Sequence, residues 1–507
     1  MKRRGFFKLA GLTAASLAAG GVLAACGAGQ IPANPLRTDA GEDGAAPSVA
    51  GGPAVAFSSE VDVLVVGSGI AGLSAAMAPA EAKRSVLVVD KLDLLGGESY
   101  EANGVMRVAG SAVQQRAGLS ATASSEWEAR KKELEAAGAT DLEFSRTLFE
   151  AAASWADHLA NEYGAQFADP AEYAQGDRNT SVLLPKDGLG DMESVMVPLR
   201  DGLVGKGVSF LTGLRATAFI LDEESAVCGM RFVASEGGAV TDVRARRIVV
   251  ATGGFASSQP LVHAYTPDRE RVGCYTVASM GEGQLLCAAI GGQLTGMDKA
   301  APLTGDLPQV SAWGLFGPIV AVDTQGERFA REDGSGATAE ACFADERGLW
   351  WTVFDHALSE SSQSRSIAQL TSKNAKRLVG PCDSADALAE QMGVPADKLA
   401  ATLERYNDLA RAGKDDDFGR TLFLEPLEAP FYAVKQLPVR YRSRGGAATD
   451  EAGRLLSAAG APIPRVHCCG AVANGGSDGL ASNGAFGMLT GQAVADSLAE
   501  EDAQEGA

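Results

Sequence analysis

None of the eight cysteines sits in a CxxC or CxxCH arrangement. The chain therefore lacks the attachment signature of c-type haem and the paired thiolates of a zinc ribbon, and no metal site is expected. Eight cysteines are also too few for a disulfide framework in a chain of 507 residues, so most read as small buried apolar groups, adjacent Cys468 and Cys469 included. Positive charge is scarce: 44 Lys and Arg face 64 Asp and Glu, a formal net charge of −20. Such a surface repels nucleic-acid phosphates and favours solubility or a basic partner. Glycine and proline stay below the levels of a disordered or fibrous chain. What is present is 46% hydrophobic content, enough to bury the cores of two or three domains.

The N-terminal apolar run is short and only mildly hydrophobic, which suits a signal h-region better than a spanning helix, and residues 1–26 read as a targeting segment. Arg3 and Arg4 precede Phe6, Phe7 and Lys8, followed by an Ala/Gly/Leu-rich stretch to Ala25. This resembles the twin-arginine signals that export proteins already folded around cofactors. Leu23-Ala24-Ala25-Cys26 resembles a lipobox, which would make Cys26 a lipidated first residue and a peripheral membrane attachment. Ordinary cleavage at an Ala-rich site and an uncleaved anchor are the alternatives. Residues 27–59, rich in Gly, Ala, Pro and Asp, read as a flexible tether.

The stretch VDVLVVGSGIAGLSAAMAPAEAKRSVLVVD, residues 61–90, carries the clearest chemistry. An apolar strand at 61–66 runs into Gly67, Gly69 and Gly72, then an Ala-rich helix, then a strand at 85–89 ending on Asp90. Gly67 permits the tight turn, Gly69 lets backbone approach a pyrophosphate, and Gly72 lets helix pack on strand. The helix N-terminus adds amides and the positive end of its dipole. Asp90 stands where a carboxylate accepts hydrogen bonds from an adenosine ribose. Strand, turn, helix, strand and acid together point to a bound dinucleotide.

Further along, Gly96-Gly97-Glu98-Ser99 follows Lys91, and Asn103-Gly104 extends the same loop, with Ser99 as a hydroxyl donor. Residues 124–164 have helical spacing, with Trp127, Leu134, Phe144, Leu148 and Trp155 as core candidates. Residues 203–210 read as a helix end entering a strand. The segments 216–220, 229–234 and 247–251 read as a β-meander, ending in Ala251-Thr252-Gly253-Gly254-Phe255. Gly281-Glu282-Gly283 opens a helix, with Glu282 either a helix-start carboxylate or a ribose or ribityl contact. Residues 320–329 read as a hairpin turning at Gln325-Gly326, 350–354 as a strand, 399–411 as a helix and 431–439 as a strand. Then come Arg440, Tyr441, Arg442, Ser443 and Arg444, followed by Gly445-Gly446. Three arginines around one tyrosine either clamp an anion bidentately or form an exposed basic strand. A last strand at 463–472 includes Gly470 and enters a Gly-rich run at 475–487 before a final helix.

In order and spacing, the GSGIAG, GG-x-S, ATGGF, GEG, GERF and closing Gly-rich motifs resemble the flavoprotein superfamily of fumarate reductase and succinate dehydrogenase. That superfamily includes soluble fumarate reductases, urocanate reductase and ketosteroid dehydrogenases, and the resemblance spans roughly residues 60–500. It implies an α/β fold: a Rossmann-like FAD-binding domain, with a doubly wound parallel sheet and β-meander, plus an inserted α+β capping domain. The FAD domain would comprise 60–298 and 428–500, and the cap 299–427. Non-covalent FAD would meet Gly67, Gly69, Ile70, Ala71, Gly72, Asp90, Lys91, Gly97, Ser99 and Gly104. Ala251, Thr252, Gly253, Glu282 and Gly470 would continue that contact, with Leu480 and Ala481 near the isoalloxazine ring. A family histidine has Arg442 near its place, a proton-path glutamate falls on Glu332, and that glutamate's arginine partner falls near Ser335.

The reaction implied is reduction of a carbon–carbon double bond in a small, carboxylate-bearing substrate by hydride from flavin. Arg440, Arg442 and Arg444 would hold the anion, with Tyr441 or Glu332 moving the proton. Electrons would arrive from an external cytochrome, flavin protein or quinone-linked carrier. Two other readings stand beside this one: a dehydrogenase introducing a double bond into an apolar ring substrate, and a flavin-binding electron-transfer subunit without its own catalysis.

Overall fold

The computed structural model describes residues 50–51, 55–139, 141–174, 178–334, 336–360, 377–475 and 479–506. Residues 1–26 with Cys26, most of 27–59, Ser335 and Gly476-Ser477-Asp478 lie outside the described residues.

The first βαβ unit forms where the Val/Leu run meets the glycine turn. Strand β1 (Ser59–Val66) is exposed at its start and wholly buried from Val63 onward, as a central strand covered on both faces must be. Helix α1 (Ile70–Glu81) is apolar on nearly every side and sinks into the core. Strand β2 (Val86–Val89) returns parallel to β1, with Val63 opposite Val86 and Val66 opposite Val89. The segment 124–164 is two helices, α2 (Ala123–Ala136) and α3 (Leu142–Glu162). Each starts at a side-chain cap, Thr122 and Asp141. Trp127, Leu134, Phe144, Leu148 and Trp155 are all buried. Helix α4 (Glu193–Gly205) leads to β3 (Ser209–Leu211), which pairs parallel with β2.

The meander follows: β4 (Leu214–Leu221), β5 (Val227–Ala234) and β6 (Val240–Val250). Its third strand starts seven residues before the expected 247 and does two jobs. Its first half pairs antiparallel with β5, while most of its length runs parallel to β1. After helix α5 (Glu282–Ala289), a separate antiparallel sheet is built from β7 (Val320–Val322), β8 (Trp350–Asp355), β9 (Leu378–Cys382) and β10 (Phe431–Gln436). Their spatial order is β7-β8-β10-β9. Helix α6 (Ala396–Ala412), which precedes β10 in the chain, packs its apolar face into the same cluster. Arg328 and Arg420 are buried there against Glu332 and Asp415.

The stretch expected to be one strand at 431–439 is divided. Leu437 turns out of the sheet, donating its N–H to Asp306, and β11 (Pro438–Arg440) joins Gly273–Cys274 and Thr304–Gly305 in another sheet. Proline lacks the N–H a continuing ladder needs, so the break falls there. Strand β12 (Pro462–Cys468) then pairs parallel with the end of β6, Cys468 opposite Val250. The parallel core thus runs β3-β2-β1-β6-β12 and joins early and late parts of the chain. Helix α7 (Leu480–Glu505) closes the fold over α1. Gly487 and Gly491, one turn apart, lie so close to the Ala71 and Ala75 carbonyls that a Cβ would come within 2.1 and 2.3 Å. Among the described residues no helix is long and apolar enough to cross a membrane.

Candidate active site

At the carboxyl end of β1 the backbone N–H of Gly67 donates to the Val89 carbonyl at 2.8 Å, drawing the two strands together under the turn. Gly67 has φ +107°, and a Cβ there would sit 2.3 Å from the Ala251 carbonyl oxygen. Only glycine fits. Gly69, the N-cap of α1, differs. Its φ is −64°, it offers no side-chain cap, and a Cβ there would meet nothing nearer than Ser99 Oγ at 3.4 Å. The helix start is left open toward a cavity, the Ile70 N–H alone being met by Ser99 Oγ at 3.0 Å. Asp90 braces this loop: one carboxylate oxygen accepts from the N–H and hydroxyl of Ser68, the other from the Leu92 N–H.

The cavity has a volume of about 350 Å³ and continues along Ala251, Thr252 and Gly253 to the start of α5. There Glu282 Oε1 pairs with Lys91 Nζ at 2.7 Å, so the helix-start acid bridges the two βα loops. Among the described residues, four cavity-lining oxygens are shielded from solvent without a hydrogen-bond partner: Thr252 Oγ1, Glu282 Oε2, Glu98 Oε1 and Asn483 Oδ1. Orphaned polar atoms around a glycine-walled cleft at a helix N-terminus are what a hydroxyl-rich, diphosphate-bearing cofactor would satisfy. These residues fit FAD.

The same cavity is also lined by Leu303, Thr304, Pro308, Ala312 and Leu315 and by Tyr441 and Arg442. The joint of β11 with Thr304–Gly305 brings these residues together. Tyr441 lies 5.6 Å from Tyr275, centroid to centroid, in a tilted pair. Burial pushes the Tyr441 phenol well above its ordinary pKa, helped by Glu98 and Tyr275 and opposed by Arg442. Burial likewise raises Glu98, against the hydroxyls of Ser279 and Thr276 and the charge of Lys91. Elsewhere on the wall Arg107 and Arg130 share one carboxylate, Glu133, at 3.0 Å each, and burial lowers the pKa of Arg107.

Most of the expected cofactor residues reach this wall: Gly67, Gly69, Ile70, Ala71, Asp90, Lys91, Gly97, Ser99, Ala251, Thr252, Gly253, Glu282 and Leu480. Four do not. Gly72 packs on the Gly67 carbonyl, Gly104 on Pro185 and Gly470 on the Ala71 methyl, each so close that a Cβ would come within 3 Å. Ala481 is buried on the far side of the helix turn that presents Leu480 and Asn483.

The three-arginine clamp is not assembled. Arg440 still belongs to β11, and its guanidinium donates to the Arg269 carbonyl and to Gln259 Oε1. Arg444 is buried away from the wall, beyond the point where Ser443 Oγ takes the Phe255 N–H at 2.8 Å. Arg442 and Tyr441 remain. Glu332 borders the cavity, but its carboxylate is wholly buried and consumed. It accepts from Arg328 Nε and Nη2 at 2.9 Å, from Arg420 Nη1 at 3.2 Å and from the Ala321 N–H at 3.1 Å. Both of its oxygens are thus taken by guanidinium donors.

Glu98 was missed, although it stands between Gly97 and Ser99 in a loop already singled out; an acid inside a Gly-Gly turn was the available signal. The Arg107–Glu133–Arg130 cluster and the Leu303–Leu315 wall carried no local signal, because tertiary contact alone brings them there.

A family description, FAD binding domain, matches residues 62–487. Among characterised proteins, the chain is 25% identical over 462 residues to a probable fumarate reductase, Ifc3, of Shewanella frigidimarina, the match covering 88% of this chain and 76% of that one. It is 24% identical over 427 residues to urocanate reductase of Eggerthella lenta, covering 82% and 70%. Among solved structures, the open conformation of a flavocytochrome c3 fumarate reductase superposes with a TM-score of 0.66 at 24% identity, covering 87% of this chain and 79% of that chain, a likeness of fold.

Proposed function

Because the chain belongs to the FAD binding domain family, we propose that it is a flavoenzyme reducing the carbon–carbon double bond of an α,β-unsaturated carboxylate. The reading rests on one observation: the cradle of Gly67, Gly69, Thr252 and Glu282 and the pair Tyr441 and Arg442 line the same cavity. FAD, when bound and reduced, supplies the hydride. The chain's own residues do the rest. Arg442 holds a carboxylate and draws electron density from the conjugated double bond. Tyr441, kept neutral by burial, presents a proton to the carbon that does not receive hydride. Leu303, Pro308, Ala312 and Leu315 exclude water and fit an apolar substrate body. Of the three arginines expected to clamp an anion only Arg442 lines the cavity, and Arg107 and Arg130 on its wall share Glu133, an arrangement that suits a monocarboxylate better than a dicarboxylate.

The relatives' printed names, fumarate reductase and urocanate reductase, support reduction as the direction. The apolar wall supports a second reading, dehydrogenation of an apolar ring substrate. An external cytochrome, flavin protein or quinone-linked carrier would serve as electron donor, and export with lipidation at Cys26 would place the protein on the outer face of the cell membrane. The four-stranded sheet would serve as the cap, its limit lying past Gln436 rather than at 427 because β10 is one of its strands.

The test is to reduce the flavin anaerobically and add acrylate, cinnamate, urocanate or fumarate in turn. Return of the yellow colour with a monocarboxylate is expected. Arg442→Gln should raise KM about a hundredfold, a loss of about 2.7 kcal/mol, whereas Arg440→Gln leaves KM unchanged. An unchanged KM in Arg442→Gln refutes the anion contact. Bleaching of the oxidised protein by a cyclic ketone, with no reoxidation by any enoate, would favour the second reading.

A further inference from the structure

Arg442 is carried by a stretch of chain that belongs to no sheet. Strand β11 ends at Arg440, whose carbonyl accepts the Tyr275 N–H at 2.9 Å. Pairing resumes at Gly446–Ala447, opposite Leu294–Thr295, and residues 441–445 lie between the two ladders. A guanidinium receives a carboxylate in a fixed geometry only when the backbone beneath it is held.

Ser443 supplies such a hold. It is 5% exposed, and its Oγ accepts the N–H of Phe255, itself buried, at 2.8 Å. Phe255 ends the run Thr252-Gly253-Gly254-Phe255, whose first two residues line the cofactor cradle. Gly254 makes the approach possible, since a Cβ there would lie 2.3 Å from Ser443 Oγ. The Gly254 carbonyl in turn accepts the Gly281 N–H at 3.1 Å, which ties the same turn to the start of α5. One buried hydrogen bond therefore joins the residue after Arg442 to the backbone that forms the cradle.

We propose that Ser443 is a positioning residue that fixes Arg442 beside the cofactor cradle. This rests on the reading given above, in which Arg442 holds the substrate carboxylate. Ser443 itself lies off the cavity wall and acts through its neighbour. Without its Oγ the buried Phe255 amide loses this acceptor, a penalty that residues 441–445 relieve by shifting. Arg442 then meets the carboxylate out of alignment, and the paired, charge-assisted bonds weaken. A neutral ligand of the same shape relies on the apolar wall and is indifferent to that shift.

The experiment titrates FAD-loaded protein with sodium hydrocinnamate, which has no side-chain double bond to reduce, and with its neutral amide, following the flavin absorption band. Wild type should bind the carboxylate more tightly than the amide. Ser443→Ala should weaken carboxylate binding about tenfold and leave amide binding and FAD affinity unchanged. Ser443→Thr, which keeps the acceptor, should restore the carboxylate. In turnover with sodium cinnamate, KM should rise by the same factor while kcat stays within about twofold, because the bond between Tyr275 and Arg440 that seats Tyr441 is untouched. Gly254→Ala attacks the same contact from the other side and should give the same phenotype. In Gly254→Ala/Ser443→Ala the new methyl group lies 3.6 Å from the Cβ of residue 443, an ordinary contact, so the double variant should match Ser443→Ala instead of summing the two losses.

Wild-type carboxylate affinity in Ser443→Ala overturns the role of Ser443, and if Arg442→Gln weakens the carboxylate in the same series the anion contact stands. No preference for the carboxylate in wild type overturns both. Equal weakening of carboxylate and amide, or weaker FAD binding with the carboxylate preference intact, makes the bond a general support and also overturns the proposal. If Ser443→Ala does not fold, Gly254→Ala carries the same expectation.

Discussion

Alanine at Gly67 and alanine at Gly69 should fail for opposite reasons, and the contrast tests the cofactor cradle directly. At Gly67 a methyl group would lie 2.3 Å from the Ala251 carbonyl oxygen and 3.2 Å from the Thr252 Cα, on a backbone with φ +107°. Left-handed strain alone costs about 1–3 kcal/mol, and forced movement of the β6 backbone adds a similar amount. Gly67→Ala should therefore lose on the order of 3 kcal/mol or more in denaturant unfolding even without FAD. At Gly69 the protein itself objects to nothing, since the nearest atom lies at 3.4 Å, an ordinary contact. Removing a glycine lowers unfolded-chain entropy by about 0.4–1 kcal/mol, and alanine is a poorer N-cap by a similar amount. The two offset, so the Gly69→Ala apoprotein should unfold within about 0.5 kcal/mol of wild type. Its methyl group points where a pyrophosphate would lie, so FAD affinity should fall at least tenfold, about 1.4 kcal/mol. The assays are urea unfolding of the apoproteins and quenching of FAD fluorescence on titration. If Gly69→Ala binds FAD as tightly as wild type, no diphosphate rests on that helix start; if it unfolds as readily as Gly67→Ala, the account of the turn is wrong.

Glu282→Gln keeps shape but removes charge. The half-buried pair with Lys91 contributes under about 1 kcal/mol, so stability should barely move, while loss of an acceptor for a cofactor hydroxyl should weaken FAD binding about tenfold or more, read by the same titration. Acid should destabilise the fold in two steps. His467 is buried, and desolvation with Arg247 holds its pKa at about 4 against an ordinary 6.5. The neutral ring is the folded form, so this contribution is complete above pH 6.5 and lost as pH falls toward 4, roughly 3 kcal/mol in all. For Asp415, burial pushes the pKa up, but Arg328 and the Arg420 and Phe418 amides outweigh it and bring the value to about 2 from 3.8. Its contribution is present above pH 3.8 and lost as pH falls toward 2. Unfolding free energy against pH should lose its upper step in His467→Gln and keep the lower; a flat wild-type curve between pH 6.5 and 4 contradicts this. In native alkylation followed by peptide mapping, Cys274, half-exposed, should label first among the described cysteines. Cys468 and Cys469 should resist, because burial pushes Cys469 up to about 12 and Cys468 also hydrogen-bonds Cys287 across 3.5 Å. Early labelling of either would refute their burial.

By itself the sequence determined the cradle. Each of its parts is local: a both-faces-buried strand is a continuous apolar run, the turn demands glycine at Gly67, and Asp90 ends the next strand at a set distance. The same locality made the meander, the Gly281-Glu282-Gly283 helix start and the buried aromatics of α3 legible. Register and direction were not. Arg440, Tyr441, Arg442 and Arg444 look equivalent along the chain, and only the pairing of β11 with two other strands sends Arg440 to Gln259 and leaves Arg442 on the cavity. Gly72, Gly104 and Gly470 look like cofactor glycines, yet each is small because another part of the protein presses on it. Glu332 stands apart in the sequence from Arg420, 88 residues away, and only the fold brings the two together. Which chemistry a loop can do follows from neighbours in sequence; which side chains share a cavity depends on contacts between segments hundreds of residues apart, and those exist only in the folded chain.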